Sequence, residues 1–458
     1  MRIDDYGRGT KRPSTSALAV IGSALLLTAS LTWLLAVRTA PPPETAPFME
    51  MSRFTAWRSL PWEEQNQRRI QQLQDCLQAK NCLKRQAQVV LLAGFHFTDA
   101  TNGATSGENI WANSVLDSLE DLGYTYLYAD TREDIQPLYS NFTDQTIAVI
   151  SFAAWIPECM QDPGCIKSQD NPKGVPLWKF LAFEFWKGAN HPLGHDWTLS
   201  PEDYEDGNNY LGYSVQRACF KYPYIPHEQR KRRALILAKR LTYFHKPTYP
   251  WRLVDYAHPP SYASKELGAG FHFVSAIGND TSWGWDDVPV EERPEDPQVP
   301  AGIQSLTDGR NLQREQWYAE LADARMMIGV GQPWLSPSPW DALCLGVPFL
   351  NPVSTWDPKN PENRTAWATQ HDGLRYETEP RVYHVFEVED MAVRTKMFWE
   401  AVARAASTPL ERYISPRRTP EAVRERLHRI LETDWRTKSI QVRDEHRAQG
   451  KGITDFVL

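Results

Sequence analysis

The chain has 458 residues, 41% of them hydrophobic and 12% aromatic, and a net charge of -7. That is length enough for two domains with large cores, and a mildly acidic balance with no basic face argues against a nucleic-acid binder. Six cysteines are few for a disulfide scaffold, and there is no Cys-x-x-Cys pair, so no metal site is expected.

Ala17 to Val37 is a run of 21 residues without a charge, long enough to cross a bilayer. Arg2, Arg8, Lys11 and Arg12 precede it and only Arg38 follows closely, which predicts a cytosolic N-terminus and a lumenal bulk. No A-x-A-like cleavage site follows a short apolar core, so the run reads as an uncleaved type II signal anchor, short enough for a thin membrane. Three sequons, at Asn141, Asn279 and Asn363, agree with a lumenal address. Cys76 with Cys82 and Cys159 with Cys165 are close enough to pair locally, while Cys344 reads as a buried free thiol.

Pro41-Pro42-Pro43 opens a stem, and Pro61 to Arg85 carries apolar residues at helical spacing. A strand is expected at Val89 to Ala93, a turn at Gly94 and a Gly/Thr/Asn-rich loop over Thr98 to Gly107. Glu108 to Leu122 reads as a helix with Trp111, Val115, Leu119 and Leu122 on one face and Gly123 as its stop. Strands follow at Tyr124 to Tyr128 and Thr146 to Phe152. Pro157 to Trp197 is irregular and dense in aromatics, mostly core; Trp178, Trp186 and Trp197 are candidates for a sugar-lining face.

The rhythm restarts with strands at Tyr210 to Val215, Leu235 to Ala238 and Phe271 to Ile277. Asp286 to Pro300 is an acidic, Pro-rich surface loop whose Asp286-Asp287 resembles a metal motif only superficially. Leu312 to Arg325, Met391 to Ala405 and Pro420 to Leu431 are helices. Alternating strands and helices predict doubly wound parallel sheets, with a ligand in a cleft at the carboxyl ends of the strands.

The chain is organised around Met326 to Asn351, MMIGVGQPWLSPSPWDALCLGVPFLN. An apolar strand ends in Gly329-Val330-Gly331, and a Pro-rich loop leads to a helix from Trp340 to Leu345. Ser338 is the expected N-cap, Pro339 the first helical residue, and Asp341 stands three residues after the cap. Free N–H groups and the helix dipole there would receive an anion, although an ordinary capped βα unit reads the same way.

These residues carry a resemblance. GVGQPWLSPSPWDALCLGVPFLNP (Gly329 to Pro352) resembles the signature of the α-1,6-mannosylglycoprotein 6-β-N-acetylglucosaminyltransferases, glycosyltransferase family 18. SGENIWANSVLDSLEDLGY (Ser106 to Tyr124), WTLSP with NNYLGYSV (Trp197 to Val215), LILAKRLTYF (Leu235 to Phe244), Ser305 to Gly331 and EPRVYHVFEVED (Glu379 to Asp390) are similar to further family segments in the same order.

The resemblance implies a GT-B-like α/β fold, two Rossmann-like domains facing across a cleft. Residues 1–16 would be a cytosolic tail, 17–37 the anchor, 38–85 the stem, 86–205 the acceptor and base domain, 206–440 the donor domain and 441–458 a tail. It also implies UDP-N-acetylglucosamine as donor, inversion at the anomeric carbon, no metal or other cofactor, and β-1,6 transfer to the α-1,6 mannose arm of N-glycans by a Golgi enzyme. Glu108 matches the family base, where the plain alternative is a first-turn acid facing the helix dipole. Lys239, Gly329, Gly331 and Ser338 match donor-binding positions, and Asp341 stands in for a ribose-holding glutamate. The chain departs from the pattern at Leu335, Val353 and Gln216, where the family has charged residues. A related transferase with another donor or acceptor, or an inactive sugar-binding protein, are the alternative readings.

Overall fold

The computed structural model describes residues 57–104, 106–277, 285, 288–307 and 312–450. The predicted anchor, residues 38–56 of the stem, Asn279, Asp286-Asp287 and residues 451–458 lie outside them. Among the described residues no helix is long and apolar enough to cross a membrane.

Two sheets form the framework. The first contains β1 (Val89–Ala93), β2 (Thr125–Ala129), β3 (Thr146–Phe152), β4 (Phe180–Phe183), β5 (Thr198–Ser200) and β6 (Asn209–Tyr210). They are all parallel, in the order β2-β1-β3-β4-β5-β6. The second contains β7 (Arg233–Leu237), β8 (His272–Ser275), β9 (Ile303–Ser305), β10 (Met326–Gly329), β11 (Phe349–Thr355), β12 (Ala368–Thr369) and β13 (Val382–Phe386). Its order is β12-β11-β10-β7-β8-β9 with β13 beside β11, and only β12 runs antiparallel. Every residue of β1, β2, β4, β7 and β10 is buried; β1, β4 and β10 carry no polar side chain, while Thr125 opens β2 and Arg233 opens β7. The mixed α/β class and the parallel sheets are as expected from the sequence.

Strand order gives each sheet a switch point. The chain leaves β1 to one side for β2 and to the other for β3; in the second sheet it leaves β7 for β8 and returns on the other side with β10. Crevices open beyond the carboxyl ends of strands at such reversals.

Several expectations change. The helix read as stem, Trp62–Ala79, is part of the first half: Asn66 exchanges two hydrogen bonds with the Tyr128 backbone, 2.8 and 2.9 Å, and covers the β2 edge. A short helix, Phe95–Thr101, begins directly after Gly94, where a loop was expected from Thr98 onward. The aromatic stretch holds β4, whose Phe183 stacks on Trp111 at 3.7 Å. The strand expected at Tyr210 to Val215 is only Asn209–Tyr210, and it closes the first sheet, so residues beyond 205 still belong to that half. Cys344 is not free. It is bonded to Cys219, while Cys76 pairs with Cys82 and Cys159 with Cys165.

The chain also crosses back. Thr419 caps the helix Pro420–Leu431, which packs on the helix Gly107–Leu122 of the first half. The helix Trp435–Ala448 follows, with the Trp435 ring 5.0 Å from Trp197. The expected boundary at 440 therefore falls inside a helix packed on the first half. A buried ion pair, Glu202 with Arg418, and the pair Glu205–Arg375 at 2.9 Å add a polar seam beside the cleft.

Candidate functional site

Glu108 is the second residue of the helix Gly107–Leu122. Ser106 accepts a hydrogen bond from the Asn109 amide at 3.2 Å and so fixes where the helix starts; Gly123, at φ 77°, ends it. The Asn109 side chain donates to the His96 carbonyl at 3.1 Å, holding Glu108 above the end of β1. A Cβ on Gly107 would meet Phe185 Cζ at 2.8 Å and Pro337 Cδ at 3.3 Å. The helix start therefore touches both the end of β4 and the loop before the helix Ser338–Cys344 of the second half.

Lys239 follows β7 on the facing edge. It keeps contact with solvent, yet protein crowding its ammonium lowers its pKa; the charge of Glu108 opposes that shift and Arg240 adds to it. Glu108 is also felt by His96, whose imidazole burial holds below its usual range while Glu108 and Asp99 pull it up. One carboxylate thus acts through its charge on an imidazole in its own half and on an ammonium in the other. His96 carried no signal in the sequence beyond its place after a strand.

The donor loop differs from expectation. The Gly331 amide, predicted to be open, donates to Gln370 Oε1 at 2.9 Å, and Gln370 Nε2 donates to the Pro333 carbonyl at 3.2 Å. Trp251 Nε1 donates to the Gly329 carbonyl at 2.7 Å. A Cβ on Gly329 would lie 2.3 Å from Gln370 Oε1, and Gly331 adopts φ 81°. Gly329 is thus needed for close approach and Gly331 for its positive φ. Gln370, 3% exposed, is the residue that sequence reading missed.

The expected capping box is absent. Ser338 is the first helical residue, Pro337 stands at the cap without a side-chain bond, and Ser336 Oγ takes the Ser338 amide at 3.3 Å. The Trp340 and Asp341 amides both reach the Pro337 carbonyl, at 2.9 and 3.1 Å. Asp341 points inward, 3% exposed, and accepts from Tyr318 Oη at 2.6 Å. Burial pushes its carboxyl up to about 7, against the Tyr318 bond and the charge of Arg314. Enclosed in this way, it does not present a ribose-holding carboxylate to the cleft. Leu335 is buried with φ 56°, and Val353 is buried in β11, so two of the three departures from the family pattern are packed apolar side chains. Gln216 starts the helix Gln216–Cys219.

The three tryptophans separate. Trp197 is core, 1% exposed, stacked on His191. Trp178 precedes β4, on the edge away from the cleft. Trp186 follows β4 on the cleft edge and is 47% exposed. Asn141 ends a helix and is exposed; Asn363 is half-buried and accepts from Thr365 Oγ1 at 2.7 Å. Among the described residues no group of three or more His, Cys, Asp or Glu gathers as metal ligands would.

No family model matches the chain, and no curated protein matches it. Among solved structures it is similar to sucrose-phosphate synthase from Thermosynechococcus elongatus, at 11% identity over 80% of this chain and 100% of that chain, with a TM-score of 0.38. At that distance the likeness does not bear on activity.

Proposed function

We propose that the protein is an inverting glycosyltransferase of the GT-B type, moving a sugar from a nucleotide donor to an acceptor hydroxyl. The observation that carries this reading is the place of Glu108 at a helix start beyond β1 that touches Pro337 of the second half, with Lys239 just past the carboxyl end of β7, each beside a switch point. In the proposed step Glu108 takes the proton of the acceptor hydroxyl as its oxygen attacks the anomeric carbon. The bond from that carbon to the nucleotide diphosphate breaks, and Lys239 stands beside the departing negative charge.

The finer reading follows the family resemblance: UDP-N-acetylglucosamine as donor, a β-1,6 bond to the α-1,6 mannose of an N-glycan, no metal, and a type II anchor in the Golgi membrane. Full-length protein in detergent, given UDP-N-acetylglucosamine and a defined biantennary glycan, should form that linkage with or without EDTA. Glu108→Gln should lower kcat at least about a hundredfold with UDP affinity retained. Turnover at the wild-type rate in that variant would remove Glu108 from the chemistry, and loss of activity in EDTA would remove the metal-free mechanism. Glycosidase treatment and protease protection in membranes test the lumenal address through Asn141 and Asn363.

A second reading is favoured by one observation. With the Gly331 amide held by Gln370, fewer fixed donors remain for a diphosphate. A sugar-binding protein without turnover would bind glycans but release no UDP in the same assay.

A further inference from the structure

The first switch point carries side chains that the transfer step does not use. Phe95 and His96 follow β1, Phe152 is the last residue of β3, and Trp155 starts the next helix. Their rings form one continuous wall: Phe95 to Phe152 at 5.4 Å, His96 to Phe152 at 5.7 Å and Phe152 to Trp155 at 6.1 Å, all edge-on. Gly94 makes this possible, because a Cβ there would press on Phe152 Cβ at 3.3 Å. A core cluster would be enclosed, but Phe95 is 40% exposed and the other three are half-buried. The wall lies along the same sheet edge as Glu108, to which Asn109 ties it.

We infer that this wall is the acceptor subsite and takes a neutral pyranose, its C–H face against Phe95 and Trp155 and a ring hydroxyl turned toward Glu108. The inference rests on the transferase reading for the role of that hydroxyl, not for the binding itself. Flat aromatic faces at a switch point suit an apolar sugar face. The charge at the rim selects the class. Glu108 and Asp99 place two carboxylates on the helices beyond β1 beside His96, while the Lys239 ammonium belongs to the other half, so at the wall itself an acidic sugar would be repelled and an uncharged one accepted. Trp186, next along the edge, would meet a neighbouring residue of a longer glycan.

The test uses full-length protein in detergent with methyl α-mannopyranoside and N-acetylneuraminic acid as probes in saturation-transfer NMR. The expected result is transfer to the mannoside ring protons and none to the acidic sugar, with the mannoside signal reduced severalfold in Phe95→Ala and in Trp155→Ala. In the transferase assay Phe95→Ala should raise the acceptor KM about tenfold, the worth of one stacking contact, and leave the donor KM within about twofold. Phe95 is exposed enough that its truncation should not unfold the chain. Saccharide binding lost in Phe95→Ala in a protein that never turns over a donor keeps the subsite and removes the transferase. Normal turnover with an unchanged acceptor KM in Phe95→Ala keeps the transferase and overturns the subsite.

Discussion

The two carboxyl edges share one geometry and differ in how much of it is already used. At the second, around β7 and β10, Gln370 and Trp251 hold the Gly329–Pro333 backbone, Ser336 and Pro337 close the helix start, and Asp341 is enclosed with Tyr318. At the first, around β1 and β3, a carboxylate, an imidazole and a row of rings stand half-open. The same strand order therefore yields a pre-tied loop in one half and a surface able to receive a ligand in the other. Variants of the tied edge should cost stability, and variants of the open edge should cost activity.

The largest effect should come from Asp341. A carboxyl that titrates higher folded than unfolded keeps its proton longer in the native state. Its stability contribution is full below the unfolded value of 3.8 and is lost as pH rises to about 7. That span corresponds to roughly 4 kcal/mol. Asp341→Asn keeps an acceptor for Tyr318 and should flatten the pH dependence of the melting temperature between pH 4 and 7. Identical pH profiles for variant and wild type would show that the group is not enclosed.

Next is Glu108→Gln, about a hundredfold in kcat but no more than about 0.5–1 kcal/mol in stability, since only a first-turn helix-dipole contact is lost. A large drop in melting temperature would place Glu108 among the structural residues instead. Gln370→Ala should destabilise by about 1–3 kcal/mol, the cost of leaving a buried amide without its acceptor, and a guanidinium midpoint reads it directly. Smallest should be the stability change in Phe95→Ala, within about 0.5 kcal/mol, although its acceptor KM moves.

The same contrast explains what was legible in the sequence. β1 and β3 and the helix Pro420–Leu431 were readable to the residue because local signals agree there: apolar, β-branched-rich runs in the strands, and Thr419 with Pro420 at the helix start. Glu108 stood out only through the family resemblance; the Ser106 cap that places it came from the structure, while Gly123 was legible as the helix stop. β4 was hidden by its own aromatics, since four apolar residues fit a strand or a buried helix turn equally well. The place of β6 depends on pairing with β5, and the Cys219–Cys344 bond spans 125 residues, so neither leaves a local trace.

The donor loop misled for a different reason. A Ser-x-x-Asp spacing after a Gly-x-Gly turn predicts a cap and open amides, but Pro337 and Ser336 supply the acceptors first and Gln370, 39 residues on, takes the Gly331 amide. Spacing shows which bonds a segment can form alone; it does not show which distant side chain will claim them. The tryptophans make the same point, since Trp186 and Trp197 look alike in sequence and one is on the cleft edge while the other is core.

The central claim is that Glu108 and Lys239 sense each other across the cleft. The most direct measurement is an NMR titration of the Lys239 amine, carbon-13 labelled by reductive methylation and assigned by its loss in Lys239→Arg, in wild type and in Glu108→Gln. Removing the carboxylate that holds the ammonium up should lower the Lys239 pKa further; the same value in both proteins would mean that the two groups do not share a site.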